Sequence, residues 1–245
     1  MENIQHLEIV YQEMRNDEAI VSSKIKTGED PKFAVAFLES TYAVEAVYSL
    51  YIKNDINRSK ASFFKAARIA EYMSGKFDRK VMDSGMNQIS YAILSDEAGL
   101  IDRYSTLRNF KNHELNIGFQ IPNAVQNVLL DRKSELEANI RNLERFVKIP
   151  KFKWWASLTD VFNGFLSGEE KKIEAGLRLM LDTHTKRNTD PLISKFLSID
   201  TAGLCKLAWI NGFQINLNSS FVPIELMPAR PLSQYDDGAV LRGIL

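Results

Sequence analysis

The residues of this chain that could do chemistry are few and far apart. Its three histidines are His6, His113 and His184, too distant in sequence to make a local metal or acid–base pair. No His-Glu-x-x-His, Gly-x-Ser-x-Gly or glycine-rich phosphate loop occurs, and each of those chemistries needs that spacing to bring its groups onto one face or one turn. A zinc deaminase needs a cysteine pair near a His-x-Glu, whereas Cys205 is the single cysteine. One cysteine also excludes an internal disulfide and any multi-cysteine metal site. It falls among Leu204, Leu207 and Ala208, where a small buried hydrophobe is expected rather than a nucleophile. Glu39 and Glu45 interrupt an otherwise apolar helix. An exposed edge or a buried ion pair is expected of them, with a perturbed acid in a cleft as the alternative. Asp236-Asp237-Gly238 lacks the alternating acids of a calcium loop and reads as a solvated turn. No catalytic residue, cofactor site or metal site is predicted.

The elements around these residues are helical. Asp30-Pro31 is a cap followed by proline at the first helical position, where a missing N–H costs nothing. Phe37, Val44, Val47 and Tyr51 then form a stripe that Ala34, Leu38 and Tyr48 widen, as in a helix buried on most sides. Further helices are predicted over 58–74, ending near Gly75, and over 79–94 and 96–110. After Pro122-Asn123, the residues Val125, Leu129, Leu136, Ile140, Leu143 and Val147 recur at three- and four-residue spacing, predicting one long amphipathic helix that Pro150 ends. Trp155, Leu158, Phe162 and Phe165 make the next stripe. Ser167-Gly168-Glu169-Glu170 fits a capping box, and Asp190-Pro191 repeats the cap-plus-proline start. Phe213–Leu217 alternates apolar and polar residues but has no partner strand. The fold class is all-α: a single domain over 1–245 of eight to ten helices in antiparallel pairs, without a substantial sheet. Residues 148–153 are the best place for a subdomain boundary.

Composition narrows the function classes. Apolar residues at 45% and charged residues at 25% are globular values, against disorder. Thirty-one basic residues balance 31 acidic ones, so no global field draws the chain to nucleic acid or lipid. Locally the balance is uneven. Residues 1–30 are acidic, with Glu13, Asp17 and Glu18 among them, and residues 57–81 are basic. A second cluster, Arg145, Lys148, Lys151 and Lys153, lies beside Trp154 and Trp155. Cations with aromatics suit phosphate contact and base stacking, but these aromatics fall on the apolar stripes. The N-terminus shows no signal peptide, and the apolar region 33–52 is broken by its glutamates. A cytoplasmic location without membrane contact is expected.

The segment most particular to this chain lies near its end. Leu204-Cys205-Lys206-Leu207-Ala208-Trp209-Ile210-Asn211-Gly212 reads as a helix, capped by Ser198 or Asp200, that stops at a left-handed glycine. Val222-Pro223-Ile224-Glu225-Leu226-Met227-Pro228-Ala229-Arg230-Pro231-Leu232 follows as a proline-framed turn. Across 197–232 this arrangement resembles the immunity protein 49 family, which neutralises bacterial polymorphic toxins. The resemblance implies a helical protein that binds and blocks a cognate toxin domain encoded beside it, without catalysis or cofactor. Its partner contacts are expected at exposed polar groups: Glu13, Asp17 and Glu18, and Tyr235, Asp236 and Asp237 in the tail, where tyrosine beside acids suits a basic partner. His184 and Arg187 stand at a helix C-terminus; they complement its dipole or meet the partner. A helical scaffold and a nucleic-acid-binding regulator are the alternatives, and self-association is left open.

Overall fold

The computed structural model describes residues 2–29, 31–78, 81–84, 86–238 and 242–243, with only the backbone at 83 and 84. The expected cap at Asp30 and the helix start at Arg79 fall outside them. In chain order the helices are α1 (Glu2–Thr27), α2 (Pro31–Tyr51), α3 (Ile56–Phe77), α4 (Val81–Ser84), α5 (Met86–Ser95), α6 (Ala98–Thr106), α7 (Ile117–Leu129), α8 (Lys133–Phe146), α9 (Ser157–Ser167), α10 (Glu170–Asp182), α11 (His184–Arg187) and α12 (Ile199–Ile210). Tight 3-10 turns occupy Pro150–Trp155, Ile193–Lys195 and Ile224–Leu226. Among the described residues there is no strand, only an isolated antiparallel bridge between Ser219 and Val222. The fold is all-α, and no described helix is long and apolar enough to cross a membrane.

Three helices form the centre. α2 is buried without a break from Thr41 to Leu50, α5 from Ile89 to Ser95, and α12 from Ile199 to Ala208. A helix apolar on every side must be wrapped by others; α3 lies against both α2 and α5, and α12 lies against α5. Gly203 permits that last approach: a Cβ there would come within 2.5 Å of the Ser90 Cβ. The outer helices bury one stripe each. α8 buries Leu136, Asn139, Ile140 and Leu143, the three- and four-residue spacing of an amphipathic helix.

Three local expectations are corrected. The single long helix after Pro122 is two, because the chain turns back at Asp131, which adopts a φ of 50°. The apolar period continues in phase across the turn, so it could not reveal the break. Buried amides fix the hairpin instead: Asn127 donates to Asn139 at 2.6 Å, and Asn139 donates to Gln120 at 2.7 Å. No capping box forms at 167–170, because Gly168 closes α9 with a φ of 72° and leaves the Ser167 hydroxyl bonded back to Asn163 O. Asp190 does cap, accepting from Leu192 N and Ile193 N at 2.9 and 2.6 Å, but only a 3-10 turn follows. At the other end of the motif, Gly212 takes the expected left-handed conformation with a φ of 90°.

Candidate functional site

The motif that marks this chain carries a buried lysine. Lys206, in the stretch of α12 that is buried from Ile199 to Ala208, places its ammonium 2.5 Å from Asp96 Oδ1 and donates to Leu226 O and Pro228 O, each at 2.8 Å. Lys60 of α3 approaches the other oxygen of Asp96 at 2.6 Å and donates to Arg230 O at 2.9 Å. Asp96 itself sits in the left-handed region, with a φ of 64°, at the junction of α5 and α6. Two ammoniums around one carboxylate leave an excess positive charge. The carbonyls of the proline-framed turn supply the missing negative potential, as a buried charge requires. Burial pulls Lys206 down to about 8, with Asp96 opposing. This clamp ties α3, α5, α12 and residues 226–230 into one body.

A second polar knot lies at the opposite end of α12. Arg187 pairs with Asp200 at 2.9 Å and donates to Met180 O at 2.7 Å, while its guanidinium lies over the Trp155 ring. Asn188 donates to Asp200 at 3.0 Å. Ser198 occupies the N-cap position of α12 but turns its hydroxyl to the Asp200 and Thr201 side chains. Burial works to raise the Asp200 carboxyl, but the Arg187 charge with bonds from Asn188, Arg187 and Ser198 outweighs it and holds the group below the ordinary carboxylate value. His184 Nε2 contacts Ser194 O at 2.7 Å, and its Nδ1 receives Asn188 Nδ2 at 2.8 Å. A carbonyl can only accept and an amide NH2 only donate, so the ring is the Nε2–H neutral tautomer.

Both clusters use their polar atoms internally, so what they can do is hold helices. Among the described residues no three His, Cys, Asp or Glu side chains gather to hold a metal. Glu45 is buried and paired with Arg58 at 2.7 Å, and Arg58 also donates to the Tyr11 hydroxyl at 2.8 Å. Burial pushes the Cys205 thiol up to about 12. Several concavities remain. A groove of about 440 Å³ beside Tyr51, Asn54, Asn218 and Glu225 presents amides and hydroxyls. An apolar trough of about 430 Å³ is lined by Ile101, Leu129, Leu130, Ile210 and Pro231. A smaller cleft of about 210 Å³ lies between α1, α2 and the Asp190–Ile193 turn.

The expected contact residues separate into three kinds. Glu13 and Asp17 are exposed on the outer side of α1. Glu18, half-buried, accepts the Tyr42 hydroxyl at 2.8 Å and pairs with Arg15. In the tail, Asp236 is exposed, but Tyr235 donates to Ser95 O at 2.7 Å and packs on Phe64, and Asp237 pairs with Arg68 at 2.9 Å. His184 and Arg187 are buried, at 3% and 9% exposure, so neither meets a partner across the surface. They lie in the knot instead, because Asp200 and the Ser194 carbonyl need donors more than the helix end needs a dipole partner.

Part of the basic run 57–81 is engaged in the same way. Arg58, Lys60 and Arg68 are ion-paired and Lys65 lies over the Tyr42 ring. The cluster at 145–153 stays outside. Trp154 is half-buried with Lys153 and Lys186 over its ring, correcting its expected place on an apolar stripe: the 3-10 turn changes the period there. Lys60, Asp96 and Lys206 escaped prediction, since sequence spacing carries no signal for groups so far apart.

No curated protein and no solved structure matches the chain. The family model of immunity protein 49 matches residues 53–226, which takes in α3 to α12, most of the clamp and all of the Arg187–Asp200 knot. The match reaches well upstream of 197–232 and covers most of the chain, and the protein therefore belongs to the immunity protein 49 family.

Proposed function

We propose that this protein neutralises a cognate bacterial toxin domain in the cytoplasm by binding it as a stoichiometric inhibitor, without catalysing a reaction. The observation that carries the reading is the family match over residues 53–226. The internal saturation of the two buried charge clusters supports it, since a protein that acts by presenting a surface needs a stiff frame and no reactive group. Of the candidate contacts, Glu13 and Asp17 on α1 and Asp236 in the tail have side chains open to a partner. Glu18, Tyr235 and Asp237 reinforce those faces from beneath, and His184 and Arg187 act through the frame.

The test is co-expression with the protein encoded immediately beside this one. Growth rescued from a toxic neighbour, together with a 1:1 complex on size-exclusion chromatography, is the expected result. A neighbour without toxicity, or rescue with no complex, overturns the reading. The nucleic-acid alternative makes a separate demand, an affinity that falls steeply with salt through the 145–153 cluster.

A further inference from the structure

Cations gather around aromatic rings at the corner where α8 ends, the Pro150–Trp155 turn passes and α11 begins. Lys153 stands over the Trp154 ring at 4.4 Å and Lys186 of α11 at 5.9 Å, so two distant chain segments meet on one indole. Lys151 lies over Phe152 at 4.7 Å, and the Phe152 ring meets Phe146 of α8 edge-on. Among the described residues no other ring carries two cations. Lys148, Lys151, Lys153 and Lys186 are exposed, as is Arg145 in the last turn of α8. None of the five is ion-paired among the described residues. The nearest acids along the adjoining helices, Glu144, Asp160 and Asp182, are exposed and make no ion pair with them either. Arg187 differs from these cations, since it is turned inward to Asp200.

The α8 dipole accounts for Arg145, but its effect fades within a turn, and Lys151 and Lys153 lie beyond it. Like charges set side by side in the open repel one another, and an anionic partner relieves that repulsion. The rings decide which anion. A nucleobase must lie flat on an aromatic face, whereas ammoniums already stand over Trp154 and Phe152. Four of the five cations are lysines, point charges without the planar fork that grips phosphate bidentately. Beside them Ile149 is 42% exposed and Trp154 is half-buried, an apolar element of the kind that anchors a protein contact. The rings also hold the ammoniums in place, so less side-chain freedom is lost when a partner arrives.

We infer that this corner receives an acidic surface of the toxin domain. Carboxylates meet the ammoniums of Lys151, Lys153 and Lys186, and an apolar side chain among them packs on Ile149 and Trp154. Arg145 and Lys148 steer the approach. The acidic α1 face suits cations, and this corner supplies the opposite sign. The inference rests on the toxin-binding reading and names the charge of the surface that is recognised.

The experiment uses the full chain and the toxin domain encoded beside it, inactivated at its catalytic centre, with affinity measured by calorimetry at low and high salt. Lys153→Glu with Lys186→Glu should lose at least about 30-fold in affinity at low salt, the scale of an interface hot spot, and most of the salt dependence with it. Lys153→Arg with Lys186→Arg keeps the charge and should bind within about threefold of the unaltered chain. Lys171→Glu with Lys172→Glu, in the first turn of α10, changes the net charge equally and should bind as the unaltered chain does. Thermal melts confirm folding, and Lys153→Gln with Lys186→Gln, expected to show a smaller loss in the same direction, tests the corner even if reversal unfolds the protein. Unchanged affinity in the folded glutamate or glutamine pair, or an equal loss in the α10 pair, overturns the inference and leaves the toxin reading standing. A single-stranded deoxythymidine oligonucleotide is the further probe. Oligonucleotide binding that the glutamate pair abolishes, with toxin affinity intact, would make the corner a nucleic-acid surface and overturn the inference too. If the unaltered chain does not bind the toxin, the inference and the toxin reading fall together.

Discussion

α1 and α12 are built on opposite plans. α1 runs from Glu2 to Thr27 yet fully buries only Leu7 and Tyr11, and it leaves Ile9 and Ile20 more than half exposed. α12 is less than half as long and exposes nothing between Ile199 and Ala208. Each carries charge, but at different places in the energetics. The charges of α12, Asp200 and Lys206, are closed off by partners inside the protein. Those of Glu13 and Asp17 on α1 face outward. Burial is therefore concentrated in α12, and α1 is thinly packed. The family match contains α12 and does not extend to α1.

That contrast can be broken by mutation, and the largest effects are expected at α12. Asp96→Asn strands two buried ammoniums and should lower the unfolding free energy by about 3–5 kcal/mol, measured by urea titration. A loss under about 1 kcal/mol would show the clamp to be dispensable. Gly203→Ala forces a Cβ against Ser90 and should cost about 1–3 kcal/mol, as overpacking does; an unchanged midpoint would mean that α5 and α12 separate freely.

The pH response sharpens the comparison further. Asp200 has its folded pKa below the unfolded value, so its stabilisation is present above about pH 4 and disappears as pH falls through the folded pKa. In Asp200→Asn the acid limb of stability against pH should be shallower. An identical limb would assign that loss to other carboxylates. The smallest change is expected on α1. Glu13→Lys with Asp17→Lys should alter stability by no more than about 0.5 kcal/mol, and a cooperative loss beyond that would place α1 in the frame with α12.

How much of this was legible depended on whether a residue's neighbours lie within a few turns. The α2 stripe, the Gly212 stop and the proline turn are local, and the helix period or backbone sterics declared them. The α7–α8 hairpin was not, because Asn127 and Asn139 look alike whether they face solvent or each other. Lys206 was read only as one letter of a motif. A lysine on an apolar helix becomes interpretable once Asp96 and the carbonyls at 226 and 228 are in view. Exposure was read in part. Glu13 and Asp17 are exposed as their charge suggested, whereas His184 and Arg187, equally polar in sequence, are buried.

The clamp also imposes a schedule on the protein's birth. Lys60 and Asp96 are synthesised early, but Lys206 follows much later, and the Arg230 amide that reaches Asp96 is 134 residues downstream of it. Domains begin to organise as the chain emerges from the ribosome, and here α3 and α5 must wait with their charges solvated until residues 206–230 arrive. A chain released before Arg230 would carry an unfinished centre, with Lys60 and Asp96 short of the partners that residues 206–230 bring. The centre of the fold is thus completed from residues at both ends of a 134-residue span.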